Sequence, residues 1–297
     1  MPEGDTIAYA AQRMRPLLEG HTPDQIRTPH PRHRLDRWPE RLEGRVVSEI
    51  RTHGKHLFIR FGPLALGPAA GSASGLASTG SARAVQLARQ DRADRMSSGC
   101  FEDLTIHSHL RMTGSWGVYA PGRSWRRSPR RAWLVLSRGG HQVVQFDGPV
   151  LELLTESRMR FDGRLAGLGP DVLAPQFDFD RFLARLHSDD GTRGVGDALL
   201  DQRNVAGIGN LWKSEGCWEA AIDPWRALSG LTDAEAVSII EAVAPRMRES
   251  ARTGQQNAGL RVFRLHGHPC PRCGTKIVAR GQGDDNRTTF WCPGCQR

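Results

Sequence analysis

Three things are missing from this sequence of 297 residues. It has no run of 18 apolar residues, so no membrane-spanning helix is expected. Its N-terminus carries Glu3 and Asp5 where a secretory leader would be positive, so no export signal is expected either. Its cysteines are too few and too unevenly spread for a disulfide framework. Four of the six fall in the last 28 residues, and Cys100 and Cys217 stand alone. Together these absences point to a reduced, cytoplasmic protein with no membrane partner.

Positive charge is plentiful: 41 Lys and Arg against 32 Asp and Glu, with a pI near 9.9. No amphipathic basic helix stands out, so the implied polyanion is nucleic acid before a membrane surface. The length suits two domains with an appendage.

The texture changes along the chain. Thr6 to about Leu18 has apolar residues at helical spacing, with Asp5 as N-cap and Gly20 as stop signal. RVVSEI and KHLFIRF read as a hairpin turning at His53-Gly54, and LTIHSHL, SWGVY, RAWLVLS and HQVVQFDG continue as short strands. That series implies a sandwich or barrel rather than a parallel sheet. Residues 62–100, rich in Gly, Ala and Ser, read as a disordered surface insertion with a short helix near Ala82–Arg92. Leu168–Pro175 reads as a linker. Helical spacing follows in FDRFLARL, GDALLDQ, NLWKSEGCWEA and DAEAVSIIEAVAPRMRESA. The expected fold class is α+β multidomain: a strand-rich unit at 1–167, a helical unit at 168–260 and a cysteine-rich tail at 261–297.

Five features carry chemistry. Cys270, Cys273, Cys292 and Cys295 form two C-x-x-C knuckles separated by 18 residues. This spacing can present four thiolates tetrahedrally to one structural zinc ion with no open position. The second feature is the turn Val205-Ala-Gly-Ile-Gly-Asn210, which is either a phosphate-binding cradle of backbone amides at a helix N-terminus or a plain helix–helix turn. Lys55 in GKHL could be a ligand, although a single lysine is more often a solvated charge. Met112 in HLRMTGSW is either core filler or an exposed wedge between bases. Pro2 is either an ordinary second residue or, once Met1 is removed, a secondary amine beside the Glu3 carboxylate.

As an ordered set, PEG at the terminus, GKHL, GIGN and a finger ending RTTFWCPGCQ resemble the bacterial Fpg/Nei family of DNA glycosylases with AP-lyase activity, its endonuclease VIII branch in particular. The resemblance covers nearly the whole chain outside 62–100. It implies an N-terminal β-sandwich, a helix–two-turn–helix domain and a C-terminal β-hairpin zinc finger. It implies Pro2 as nucleophile and Glu3 as general acid/base. Lys55, Asn210 and Arg287 would grip phosphates, Lys55 also serving the catalytic centre, and Met112 would fill the gap left by a flipped base. The implied partner is double-stranded DNA with oxidised bases or abasic sites, bound by a monomer.

The Arg–Phe loop of the Fpg branch is not evident in QFDGPVLELLTESRMRF, and only Ser250–Pro269 precedes the finger. Both favour oxidised pyrimidines over oxidised purines. A non-catalytic DNA-binding protein is the rival reading from another class, and it leaves Pro2-Glu3 without a purpose. A zinc-ribbon transcription factor would leave the first 250 residues unexplained.

Overall fold

The structure is a computed structural model that describes residues 2–33, 35–64 and 102–297. The expected insertion and the helix near Ala82–Arg92 fall almost wholly outside these residues.

Two four-stranded antiparallel sheets face each other. One has the order β1-β6-β7-β5, with β1 Gln25–Arg27, β5 Ser115–Tyr119, β6 Ala132–Arg138 and β7 His141–Phe146. The other has the order β2-β3-β4-β8, with β2 Arg45–His53, β3 His56–Leu64, β4 Leu104–His109 and β8 Val150–Thr155. Alternation sends Leu57, Ile59 and Phe61 of β3 and Ile106 of β4 inward to meet Leu134, Leu136 and Val143 from the facing sheet. The N-terminal helix Gly4–Leu18 covers this core with Ile7, Ala11, Met14 and Leu18. The expected sandwich is therefore present, and β1 and β8 add to the strands expected from sequence.

The helical unit packs around a second core. Phe182, Val195, Leu199, Leu211, Trp212, Ile239, Ile240 and Val243 come from the helices Phe179–His187, Val195–Leu200, Asn210–Glu219 and Asp233–Thr253, and Ile208 joins them from the turn before the third. The longest helix carries its own boundary signals. Thr232 and Glu235 make a reciprocal capping box, and Gly254 ends the helix at φ +74°. Leu168–Pro175 is more than a tether, since Val172 is fully buried and its N–H donates to the Ala206 carbonyl at 3.0 Å. The tail forms a hairpin, β9 Val278–Gln282 and β10 Arg287–Trp291, beside the cysteine knuckles. Among the described residues no helix is long and apolar enough to cross a membrane.

Candidate active site and nucleic-acid interface

Three glycines decide where the sandwich meets the helical unit. Gly54 opens the β2–β3 turn at φ +54°, and a Cβ there would lie 2.8 Å from both Ala206 Cβ and Gly207 N. A Cβ on Gly4 would lie 2.9 Å from Gly207 Cα, and the Gly4 N–H donates to the Gly207 carbonyl at 3.0 Å. Gly207 itself sits at φ +106°. Only side-chain-free backbones fit this closely. Asp171 then holds the Gly54 N–H at 3.0 Å, and His53 Nε2 donates to the Gly169 carbonyl at 2.8 Å. The chain terminus, the Lys55 turn and the GIGN turn are thereby brought together.

Glu3 lies at the centre of this junction, 1% exposed. Its carboxylate accepts from Gly209 N and Leu211 N, both at 2.9 Å, and from Trp212 N at 3.3 Å. This corrects the phosphate-cradle reading of the GIGN turn: amides at the N-terminus of helix Asn210–Glu219 hold a carboxylate of the same chain. A buried anion is well placed there, facing orphan N–H groups and the positive end of the helix dipole. Gly209 is required, because a Cβ on it would fall 2.3 Å from Glu3 Cδ. Burial pushes the Glu3 carboxyl above its usual range, while the Lys55 charge and the Leu211 and Trp212 amides oppose the shift. Burial likewise depresses the Lys55 ammonium, with Glu3 opposing and Arg287 reinforcing.

Asp5 is not the N-cap expected of it. The helix begins at Gly4 with Glu3 at the cap position and no side-chain cap bond. Asp5 is fully buried, accepts from the Ser250 hydroxyl, and accepts from Gln256 Nε2 at 2.9 Å. Gln256 also donates to Thr6 Oγ1 at 3.1 Å. Burial raises the Asp5 carboxyl, and the Ser250 bond works against it.

The other expected residues surround this centre. Lys55, Asn210 and Arg287 line one cavity of about 270 Å³. Glu3, Asn210 and Arg287 also line a second of about 410 Å³, walled by Phe263 and Phe290 and edged by Gln256, Asn257 and Asn286. Asn210 Nδ2 is committed to the Thr288 carbonyl at 2.7 Å, so this side chain ties the helix to the hairpin. Arg287 opens β10. Its guanidinium reaches Asp285 Oδ2 at 3.2 Å and Met112 Sδ at 3.6 Å. Met112 is 57% exposed in the tight turn after β4, which excludes the core-filler reading. Pro2 is partly buried next to Glu3.

The four tail cysteines converge, with all Sγ atoms within 4.8 Å of one another. Cys270 and Cys295 are 3.8 Å apart, and Cys273 and Cys292 are 3.4 Å apart. Tetrahedral zinc with Zn–S near 2.3 Å separates its sulfurs by about 3.8 Å, so this donor set fits such an ion. Trp218 Nε1 donates to Cys270 Sγ at 3.3 Å, fastening the knuckle to the helical unit.

Two residues escaped the sequence reading. Gln256 gave no signal beyond its place in a polar loop. Lys213 looked like one more polar position on a helix, yet it is fully buried and donates to Thr289 Oγ1 of β10. Its ammonium is depressed to about 8 by burial. The composition held a hint, since the chain contains only three lysines, at 55, 213 and 276.

Comparison with known proteins gives consistent matches. The family model described as the formamidopyrimidine-DNA glycosylase N-terminal domain matches residues 1–161. The model of that enzyme's H2TH domain matches 168–261, and the zinc finger found in FPG and IleRS matches 267–297. "Probable endonuclease 8 2" of Streptomyces coelicolor is 34% identical across all of this chain and 94% of its own. "DNA-(apurinic or apyrimidinic site) lyase Nei2" of Mycolicibacterium smegmatis is 33% identical across all of this chain and 99% of its own. Lactococcus lactis Fpg bound to abasic-site DNA shares the fold over the full length of both chains, with TM-score 0.73 at 21% identity.

Proposed function

The chain belongs to the Fpg/endonuclease 8 family of DNA glycosylases with AP-lyase activity, and from that premise we propose that it excises oxidised pyrimidines through an imine on Pro2. The supporting observation is the placement of Glu3. A buried carboxyl with a raised pKa stands at the wall of a cavity that has aromatic sides and amide-bearing edges. A base swung out of a duplex needs such surroundings, stacking on its faces and hydrogen bonds at its edge.

Removal of Met1 frees the Pro2 nitrogen as a secondary amine. An unperturbed terminal amine titrates near about 7.7, so a useful fraction is neutral at neutral pH. The lone pair attacks C1′ of the damaged nucleotide while protonated Glu3 delivers its proton to the sugar ring oxygen. The base departs, and the C1′–N bond becomes a cationic imine that acidifies the C2′ proton. Loss of that proton expels the 3′ phosphate in β-elimination, and a second elimination releases the 5′ phosphate. Lys55 and Arg287 hold the flanking phosphates, and Met112 fills the vacated place in the stack. Asn210 orients the finger hairpin through Thr288. One zinc ion on the four cysteines gives the hairpin a rigidity that its small core cannot supply.

The test is borohydride trapping on a duplex carrying thymine glycol, followed by mass mapping of the cross-link. A cross-link at Pro2 of the Met1-free protein is expected. Trapping by N-terminally acetylated protein would overturn the assignment of Pro2. Single-turnover excision should be faster on thymine glycol than on 8-oxoguanine, and the reverse order would overturn the pyrimidine preference.

A further inference from the structure

Residues 104–146 contain seven arginines and no aspartate or glutamate. Five of the seven, Arg123, Arg126, Arg127, Arg130 and Arg131, fall within nine residues of the connection between β5 and β6. A run of like charge is usually a solvated, mobile face. This one is anchored. Trp125 packs edge-on against Phe146 with ring centroids 5.6 Å apart, and its Nε1 donates to Gln142 Oε1 at 2.9 Å. The Arg126 N–H donates to the Tyr119 hydroxyl at 3.3 Å. Tyr119 and Phe146 belong to a small apolar cluster separate from the sandwich core, so the connection has a foundation of its own.

The arm is also fastened to the wedge. Arg127 Nη1 donates to the carbonyl of Thr113, the residue after Met112, at 3.1 Å, and pairs with Asp147 at 2.7 Å. Arg131 pairs with the same Asp147. Arg123, Arg126 and Arg130 are exposed and have no carboxylate partner among the described residues. With Arg13, whose Nη2 caps the Val118 carbonyl on edge strand β5 at 3.0 Å, Arg123, Arg126 and Arg127 line a cavity of about 580 Å³ running along that strand.

We propose that this arginine arm is a second phosphate-binding surface, engaging the backbone of the strand opposite the lesion. The proposal rests on the reading that the chain binds lesion-containing duplex. Arg287, assigned to the lesion strand, reaches Met112 Sδ, and Arg127 of the arm reaches the carbonyl of the next residue of the same loop, Thr113. A wedge entering a duplex has one strand on each side. Five residues of β5 span about 17 Å at ~3.4 Å each, and one strand presents a phosphate about every 3.4 Å of axis. The cavity along β5, lined by Arg123 and Arg126, is therefore about as long as five phosphates of one strand.

The experiment measures binding of the full-length protein to an abasic-analogue duplex and to the same strand alone, across a salt series. For the combined variant Arg123→Ser, Arg126→Ser, Arg130→Ser, the slope of log K against log salt on duplex should fall by about 2 to 3, close to 0.9 per lost phosphate contact. Single-strand binding should keep its slope. The Arg→Lys version should retain the duplex slope, as should Arg32→Ser, Arg41→Ser, Arg158→Ser, which removes exposed arginines elsewhere. An unchanged duplex slope, or an equal fall on single strand, would overturn the proposal. Borohydride trapping by the unsubstituted protein tests the catalytic reading separately, so either can fail while the other stands.

Discussion

Helix Asn210–Glu219 and its flanking turns meet the sandwich chiefly through their own main-chain atoms, and meet the finger hairpin through side-chain hydrogen bonds. On the sandwich side, Glu3 is held by three amides, Gly4 meets Gly207, and Gly54 meets Ala206 and Gly207. On the finger side, Asn210 reaches the Thr288 carbonyl, Lys213 reaches Thr289, and Gln282 donates to the Pro224 carbonyl at 2.7 Å. Main-chain atoms in van der Waals contact cannot shift without moving whole elements, whereas side chains can follow small displacements by changing rotamer. The rigid seam carries the proposed acid/base group, and the adjustable seam carries the proposed Arg287 grip. Damage to the first should therefore slow the chemistry, and damage to the second should weaken binding.

The sharpest way to break this contrast is Glu3→Gln. The amide has no proton to deliver and turns a donor toward backbone N–H groups that need acceptors. Single-turnover excision should fall by about 10² to 10⁴, while an abasic-analogue duplex is still bound. If affinity fell as far as rate, the division of labour would be wrong. Gly209→Ala comes next. Its methyl would displace the Glu3 carboxylate, and misplacement on the order of 1 Å costs about a hundredfold in rate.

The finger seam calls for paired variants. Thr289→Val leaves the buried Lys213 ammonium without its hydroxyl partner, which should cost about 1 to 3 kcal/mol of stability and weaken DNA binding more than the rate at saturating enzyme. Adding Lys213→Met should recover most of the stability, because the stranded charge is gone. Chemical denaturation of the single and double variants checks this. Lys213 is depressed to about 8 when folded, from 10.5. The unfolded chain binds more protons between those values, so wild-type stability gains there as pH rises, and Lys213→Met should lose that gain.

The smallest effect belongs to Asp5. Burial lifts its folded carboxyl above the ordinary 3.8. Its contribution is therefore fully present below that value and is lost as pH rises through the folded one. Asp5→Asn should flatten the fall in melting temperature on the alkaline side of 3.8, and an unchanged pH profile would refute this account.

Much of this architecture is legible in the residues. The strand pattern from β2 to β7 follows from alternation, the knuckles from cysteine spacing, and the four helices of the middle unit from apolar periodicity. Local patterns fail where the partner is remote. Asp5 reads as a cap because Ser250 and Gln256 cannot be seen from its neighbourhood, and the GIGN amides stay open between a phosphate cradle and a plain turn because Glu3 lies 206 positions away. Lys213 is invisible for the same reason, since its acceptor belongs to the hairpin. The arginine arm needed only charge counting, but its anchoring by Trp125 needed the fold.

The Glu3 contacts also have a consequence in time. A ribosome delivers Pro2 and Glu3 first, and Gly209, Leu211 and Trp212 only after two-thirds of the chain has been made. Until the segment that carries them arrives, the carboxylate lacks the burial that raises its pKa. On the proposed mechanism, the proline end of a nascent chain thus lacks its acid/base partner, and the same holds for any truncated product that stops short of the second domain. The proposed reactive centre is thus complete only when most of the chain is already present.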